Sequence, residues 1–512
     1  MPNILSALIW LPAIGALAIA LLPQNQSKKG AVIVASAVLI LDFILLRQFD
    51  TNIPSFQLSE NLPWLENLGL NYSLGIDGLS LPLVVLNGLL TWLIVCFCEK
   101  QITERFKLFQ VLMLLIHAGV TGAILSTNTL LFVLFYELEL IPLYLVIAVW
   151  GGAQRSYAAM KFLIFTAVSG ILILVGFLAL GWLAADSTPI FDYSTLQNIS
   201  LPLEVQITLL LVLLLGFSIK APFVPFHTWL PDTYVESTTP TVMMLGGVVA
   251  KLGTYGLFRF CVGLFPDAWS IISPYVALWA GLGVLYGAMV AISQKDIKRM
   301  VAYSSIGHMS YILLAAAAAT PLSLAGGIGQ MVSHGLILSL LFYLVGVIEE
   351  KVGTRDLDVL NGLLNPLRGL PTTSALLILG GMASAGIPGL VGFIAEFLIF
   401  QGSFTKFPIP TIFSIIGTGL TAVYFLILLN RTCFGKLDNA TAYYPKVSGL
   451  EQLPAVILTV LILFLGVQPV WLFRWSEVSA IQLVSRIPES TSVISNTLFP
   501  NHSAVGEDKQ ET

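Results

Sequence analysis

LLLGFSIKAPFVPFHTWLPD, residues 213–232, starts as an apolar membrane helix and then sets a lysine, two prolines and a histidine within eight residues. Pro222 and Pro225 each lack a backbone donor and crowd the preceding turn, so they free carbonyls that hydrocarbon cannot satisfy. Such a break is tolerated only where it lines protein or water, and the half-helix end it leaves suits a cation or a proton. A chain that spends Lys220 at that point is expected to be a helical membrane bundle with a polar interior.

Composition agrees. Of 512 residues 56% are apolar and only 10% charged, whereas soluble proteins carry about 25% charged residues. The net charge of −4 is small, and its charges fall almost wholly in loops, which leaves no patch for nucleic acid. Cys96, Cys98, Cys261 and Cys433 form no metal-binding framework and read as small hydrophobes. No P-loop, no strand-flanked glycine fingerprint and no cysteine cluster is present, so no resident nucleotide, flavin or iron–sulfur site is expected.

A span needs about 20 apolar residues to cross roughly 30 Å of hydrocarbon. Segments of that kind are predicted at 4–22, 31–47, 79–98, 108–125, 128–150, 158–184, 205–221, 240–264, 272–292, 300–319, 323–348, 372–400, 411–430 and 453–474. The first has no basic leader or cleavage site and reads as a retained span. With the amino terminus outside, inner loops collect Lys28, Lys29, Lys100, Arg105, Lys107, Arg155, Lys161, Lys295, Lys298, Arg299, Lys351, Arg355, Arg368, Arg431, Lys436 and Lys446. Only Arg47, Lys406, Arg474, Arg486 and Lys509 fall outside, which orients the chain with both termini on the outer face. The inner segment HTWLPDTYVESTT has no basic residue and is expected to be buried.

Lys220, Lys251, Arg259, Glu137, Glu139 and Glu396 remain inside spans. A mid-bilayer charge costs about 2.5–3.5 kcal/mol on insertion scales, so each needs a partner, water or a role. Glu137 and Glu139 are two positions apart and face roughly opposite ways around a helix. Glu137 is the expected partner of Lys220, and Glu139 is expected to be structural. Lys251 is too deep to snorkel, and Arg259 lies near the outer end as an interfacial anchor. Glu396 follows a second interruption, at Gly386, Pro388 and Gly389. Two interrupted helices five spans apart, each beside an ionisable residue, suggest inverted repeats over residues 108–264 and 272–430, with discontinuous helices seven and twelve and a polar tail at 475–512. His227, His308 and His334 are candidate relays; a paired-histidine haem is the alternative use, but only one histidine falls on each span.

An apolar site penalises the charged form of a lysine, and a nearby carboxylate restores it. Opening and closing a Glu137–Lys220 contact would then release and capture a proton, with Lys251 passing it toward Glu396.

These residues resemble a known family. The run K-x-P-x-x-P-x-H-T-W-L-P-D from Lys220, F-x-x-Y-E-L-x-L-I-P around Glu137, A-K-L-G-x-Y-G around Lys251 and K-D-I-K-R-M-V-A-Y-S-S-I-G-H from Lys295 are similar to the antiporter-like membrane subunits of proton-pumping NAD(P)H:quinone oxidoreductases, the complex I family. The resemblance implies an all-α fold of about fourteen transmembrane helices with two inverted five-helix repeats. It implies proton transfer by Glu137, Lys220, Lys251 and Glu396 without a redox centre in this chain. Quinone, iron–sulfur clusters and electron donor would sit in partner subunits, and the neighbours would be chain 5-type and chain 2-type antiporter-like subunits and membrane lipids. Glutamate at 396 is similar to the chain 4 branch, called M in bacteria and D in cyanobacteria and plastids. Y-E-L-E-L-I-P and the Trp150-Gly-Gly turn resemble the cyanobacterial and plastid members, implying a thylakoid location with lumenal termini, plastoquinone and photosynthetic electron transport. The departure VVAKLG, residues 248–253, leaves open a paralogue from a CO2-uptake form of the complex. A multisubunit cation/proton antiporter is the alternative.

Overall fold

A chain that must leave no backbone group unpaired in hydrocarbon folds into helices, and this one does. The computed structural model describes residues 3–97, 101–102, 104–185, 188–437 and 443–488. Among the described residues twelve helices are long and apolar enough to cross a membrane, from Ile4–Leu21 to Gly449–Val467. Leu81–Phe97 and the pair Pro371–Ser384 and Val391–Phe404 fill the remaining predicted segments. Cys98 lies outside the described residues.

Thr239–Val262, Ile297–Ala318 and Pro321–Val352 are enclosed on almost every side. Gln24–Gln48, Arg155–Leu183 and Pro408–Thr432 instead turn large side chains such as Ile33, Ile171 and Ile416 outward. This arrangement inverts the usual expectation for charge, because the enclosed helices are the ones that carry Lys251, His308 and His334. Small residues let the central helices approach. A Cβ on Gly287 would lie 2.7 Å from the Gly307 nitrogen, and one on Gly326 would lie 2.7 Å from the Ile399 nitrogen.

Both predicted interruptions are present. Leu203–Lys220 ends at the lysine, and a short helix resumes at Trp229–Glu236. Pro371–Ser384 stops before Gly386 and Gly389, whose φ values of 71° and 90° suit glycine, and the chain continues as Val391–Phe404. The segment 227–239 is largely buried, as its lack of basic residues suggested.

Three features differ from the sequence expectation. An antiparallel hairpin, Gln57–Leu65 with Leu70–Ile76, joins the second and third spans. The fifth span is two helices, Thr129–Leu138 and Leu140–Trp150, because Pro142 cannot donate to the Leu138 carbonyl and its ring crowds that turn. Part of the predicted tail is structured: Glu477–Val484 is a helix packed on Pro321–Val352, while 489–512 lie outside the described residues.

Arg259 is more than an interfacial anchor. It lies 2.6 Å from Asp77 and is flanked by the rings of Phe56, Tyr193 and Tyr255. Burial alone pushes the Asp77 carboxyl up, but the guanidinium and the Ser80 donors outweigh it and hold the carboxyl below the usual carboxylate range.

Candidate functional site

The proline break leaves carbonyls to be met, and tryptophans help meet them. Ser218 O accepts from Phe223 N at 3.0 Å, Ile219 O from the Trp229 indole at 2.8 Å, and Val224 O from the Trp279 indole. The break is thus a built polar turn inside the protein. Trp229→Phe removes one of these donors and leaves a buried carbonyl. The expected cost is about 1–3 kcal/mol, read as a lower midpoint for thermal disassembly of the purified complex; an unchanged midpoint would mean the carbonyl is met by other means.

Lys220, at the lip of that break, is 1% exposed and lies 2.5 Å from Glu139 Oε1, itself fully buried. The partner is therefore Glu139, not Glu137. The interruption above Pro142 places Glu139 at the junction of two helices and turns it inward, against Gly119 of the neighbouring helix. Glu137, some 200° away on an ideal helix, points instead toward Gly170. It is half-buried beside the exposed Leu134, Leu138 and Ile141. Lys220 still acts electrostatically on both carboxylates.

The ammonium also sits 4.8 Å over the Tyr136 ring, an attraction of about 2 kcal/mol for desolvated cations. Tyr136 donates to Ser169 Oγ at 2.9 Å, whose own hydrogen goes to the Gly216 carbonyl at 2.7 Å. Glu139 Oε2, equally buried, has no hydrogen-bond partner among the described residues.

Lys251 stands on the next helix, fully buried, and donates to the Gly246 carbonyl. The residues before it, Leu245–Val249, form a π-helical segment, which widens the turn and brings that carbonyl toward the side chain. The same helix rests on the broken one, since a Cβ on Gly253 would lie 2.6 Å from the Ala221 nitrogen and 2.9 Å from the Phe217 carbonyl. Lys251 and Lys220 thus belong to helices in direct contact at the break.

Beyond Lys251, His334 is buried with neither ring nitrogen hydrogen-bonded among the described residues, and the lysine charge acts on it. Its ring centroid lies 5.2 Å from that of His308. His308 Nδ1 is 3.4 Å from Glu396 Oε1 and 3.3 Å from the Gln330 amide, and its Nε2 is 3.0 Å from Ser384 Oγ. Thr418 donates to Glu396 Oε2 at 3.2 Å, and Gly386 at the second break leaves room for that carboxylate. The geometry therefore gathers Glu139, Lys220, Lys251, His334, His308 and Glu396 into one series of contacting helices.

His227 is placed elsewhere: its Nε2 faces the Tyr286 hydroxyl at 3.2 Å, across the turn that Pro222 and Pro225 make. Sequence reasoning missed Gln330, which its place four residues before His334 on one helix face would have revealed. It missed Ser384 and Thr418 too, for which no local signal exists. Among the described residues no group of three or more His, Cys, Asp or Glu is placed to hold a metal.

A family model described as "NADH:quinone oxidoreductase/Mrp antiporter, TM" matches residues 126–421, which hold every member of this series. The chain is 36% identical over 512 residues to NAD(P)H-quinone oxidoreductase chain 4 1 of Synechococcus sp. (strain JA-3-3Ab), covering 97% of this chain and 96% of that one. A chain of respiratory complex I from Thermus thermophilus with bound NADH superposes with a TM-score of 0.86 at 26% identity, over 94% of this chain and all of the other. A chain of the Mrp complex from Dietzia sp. DQ12-45-1b superposes at 0.83 with 21% identity, over 94% and 97%, a likeness of fold.

Proposed function

The chain belongs to the NADH:quinone oxidoreductase/Mrp antiporter membrane-subunit family, and from that premise we propose that it carries protons through the membrane arm of an NAD(P)H:quinone oxidoreductase as its chain 4-type subunit. The observation that carries this reading is the buried series itself, which runs from the Glu139–Lys220 pair to His308 and Glu396 through the most enclosed helices of the bundle. A membrane bundle gains nothing in stability from so many charges that apolar residues would not supply at lower cost.

In this reading Lys220 holds a proton while Glu139 is near and yields it when the pair opens. Lys251 takes it up, and the imidazoles of His334 and His308 pass it to Glu396. Moving one charge against 100 mV requires about 2.3 kcal/mol, and losing one partner of a buried pair changes energies by about 3–5 kcal/mol. Opening one ion pair is therefore enough to drive one step. Glu137, on the face that shows Leu134, Leu138 and Ile141, is the proton-transfer residue at the boundary with an adjoining antiporter-like subunit. His227, at the turn that follows Lys220 and beside Tyr286, is a further candidate relay.

The redox chemistry, with its quinone, iron–sulfur clusters and electron donor, belongs to partner subunits in this scheme. A cyanobacterial thylakoid membrane with both termini lumenal, and assembly with chain 5-type and chain 2-type subunits, fit the same reading. So does a place in a CO2-uptake form of the complex. The cation/proton antiporter alternative shares the family model and the fold, but the relatives at 34–38% identity are named NAD(P)H-quinone oxidoreductase chain 4.

Glu396→Gln tests the row at its far end. The assembled complex in sealed vesicles should lose most of its proton uptake per quinone reduced; uptake at the native ratio would remove Glu396, and with it the row as drawn.

A further inference from the structure

A second set of buried polar groups lies outside the series, among the helices Gln24–Gln48, Leu81–Phe97 and Phe106–Leu125. Asp42 is 1% exposed, yet among the described residues neither carboxyl oxygen has a hydrogen-bond partner. Its place is built by Gly88, where an added Cβ would lie 1.7 Å from Asp42 Oδ2. The preceding residue, Asn87, and Thr91 one turn on, about 60–100° around the helix from Gly88, reach His117. Asn87 Nδ2 donates to the His117 carbonyl at 3.1 Å and to Thr121 Oγ1 at 2.9 Å, and its Oδ1 is itself unpartnered. Thr91 Oγ1 is 3.0 Å from His117 Nδ1, and Thr121 Oγ1 is 3.3 Å from Nε2.

Both ring nitrogens of His117 therefore face hydroxyls, which donate or accept by rotation alone. With Asn87 already donating to it, Thr121 can donate to Nε2 of the neutral ring while Nδ1–H donates to Thr91. On protonation the Thr121 hydroxyl turns and accepts. The imidazole can thus gain and lose a proton with its partners in place. Asp42 and His117 both pack against one turn of Leu81–Phe97, and among the described residues the helices packed on Asp42's own bring Lys107 as the further charge, held at the rim by the Ala20 and Leu22 carbonyls at 2.8 and 3.0 Å. On the opposite face of the His117 helix, Gly119 touches Glu139. One helix, about 8–10 Å across in packed contacts, separates this group from the Glu139–Lys220 pair.

We infer that Asp42 and His117 form a second proton-holding site, a side branch that exchanges protons with the Glu139–Lys220 end of the series. Two buried carboxyl oxygens without a hydrogen-bond partner among the described residues carry an uncompensated desolvation cost, and nothing in the packing here needs an acid. An apolar side chain would fill the same space without that cost. Asn87, Thr91 and Thr121 are positioning residues that keep the imidazole able to accept from either side. The inference rests on the proton-row reading above.

The test uses the assembled complex in sealed vesicles and compares Asp42→Asn, Asp42→Leu, His117→Gln and Lys220→Met. Both Asp42 variants should assemble and show a several-fold slower initial proton uptake relative to quinone reduction, with His117→Gln slowed as well. In infrared difference spectra taken on turnover, a protonated-carboxyl band of the native complex should vanish in Asp42→Asn and shift in His117→Gln. Native uptake in the Asp42 variants while Lys220→Met is impaired overturns the second site and leaves the row standing. Native uptake in Lys220→Met overturns the row. If the Asp42 variants fail to assemble, the infrared band in the native complex and in His117→Gln decides: no carboxyl band sensitive to His117 overturns the inference.

Discussion

Complexes carrying Lys220→Met should transfer protons at least about 10²-fold more slowly than the native complex, the scale of a lost proton-transfer group. Two effects combine in that variant and can be separated. Removing the ammonium leaves Glu139 buried, with Oε1 stripped of its 2.5 Å partner and Oε2 already unpartnered. Breaking a buried pair from one side destabilises by about 3–5 kcal/mol, so assembly should suffer as well as pumping. The double variant Lys220→Met with Glu139→Gln removes both charges and should regain most of the assembly without regaining proton transfer.

Lys220→Arg sharpens the distinction, because a guanidinium keeps its charge at any relevant pH and does not release a proton. It should preserve the pair with Glu139 and the cation–π contact with Tyr136, and still not pump. Native proton uptake by the arginine variant would show that Lys220 is a structural counter-ion. Of the two carboxylates, Glu139→Gln should disturb assembly more than Glu137→Gln, because only Glu139 is fully enclosed against Lys220.

That last comparison marks where the sequence stops being legible. The breaks at Pro222, Pro225 and Pro388 could be read directly, because proline's missing donor has one consequence in hydrocarbon wherever it occurs. Lys220, Lys251 and Glu396 could be read because charge in an apolar run demands a reason. Which of Glu137 and Glu139 faces the lysine could not. Two residues 200° apart compete for one neighbour, and the outcome depends on how Pro142 interrupts the helix and on where Gly119 and Gly170 leave room. Asp42 and His117 were overlooked for a different reason. Asp42 is the one acidic residue of its predicted span and His117 the one ionisable residue of its own, and what joins them is a turn of a third helix, visible only once the helices pack. The hairpin Gln57–Leu65 with Leu70–Ile76 lay in a stretch too polar to be a span and too irregular, with Pro63 inside it, to read as a strand.

Lys251→Met should stabilise the assembled complex while abolishing its proton transfer. The amine is fully buried, and its close acceptor is the Gly246 carbonyl of the π-helical segment. Methionine has nearly the same length and volume, so it leaves no cavity, and it removes the desolvation cost of an ionisable group. Replacing buried charge by apolar residues of similar size is commonly neutral or stabilising by about 1–4 kcal/mol. The series, however, would lose the group between Lys220 and His334, and proton uptake should fall about 10²-fold. The two readouts move in opposite directions, which a purely structural lysine would not produce: were Lys251 a peg that holds the π segment, its removal would lower the thermal midpoint and spare uptake. A raised or unchanged midpoint with uptake lost identifies a residue kept at the centre of the bundle for the proton it carries. A lowered midpoint with native uptake would take Lys251 out of the series and require Lys220 to reach His334 by another route.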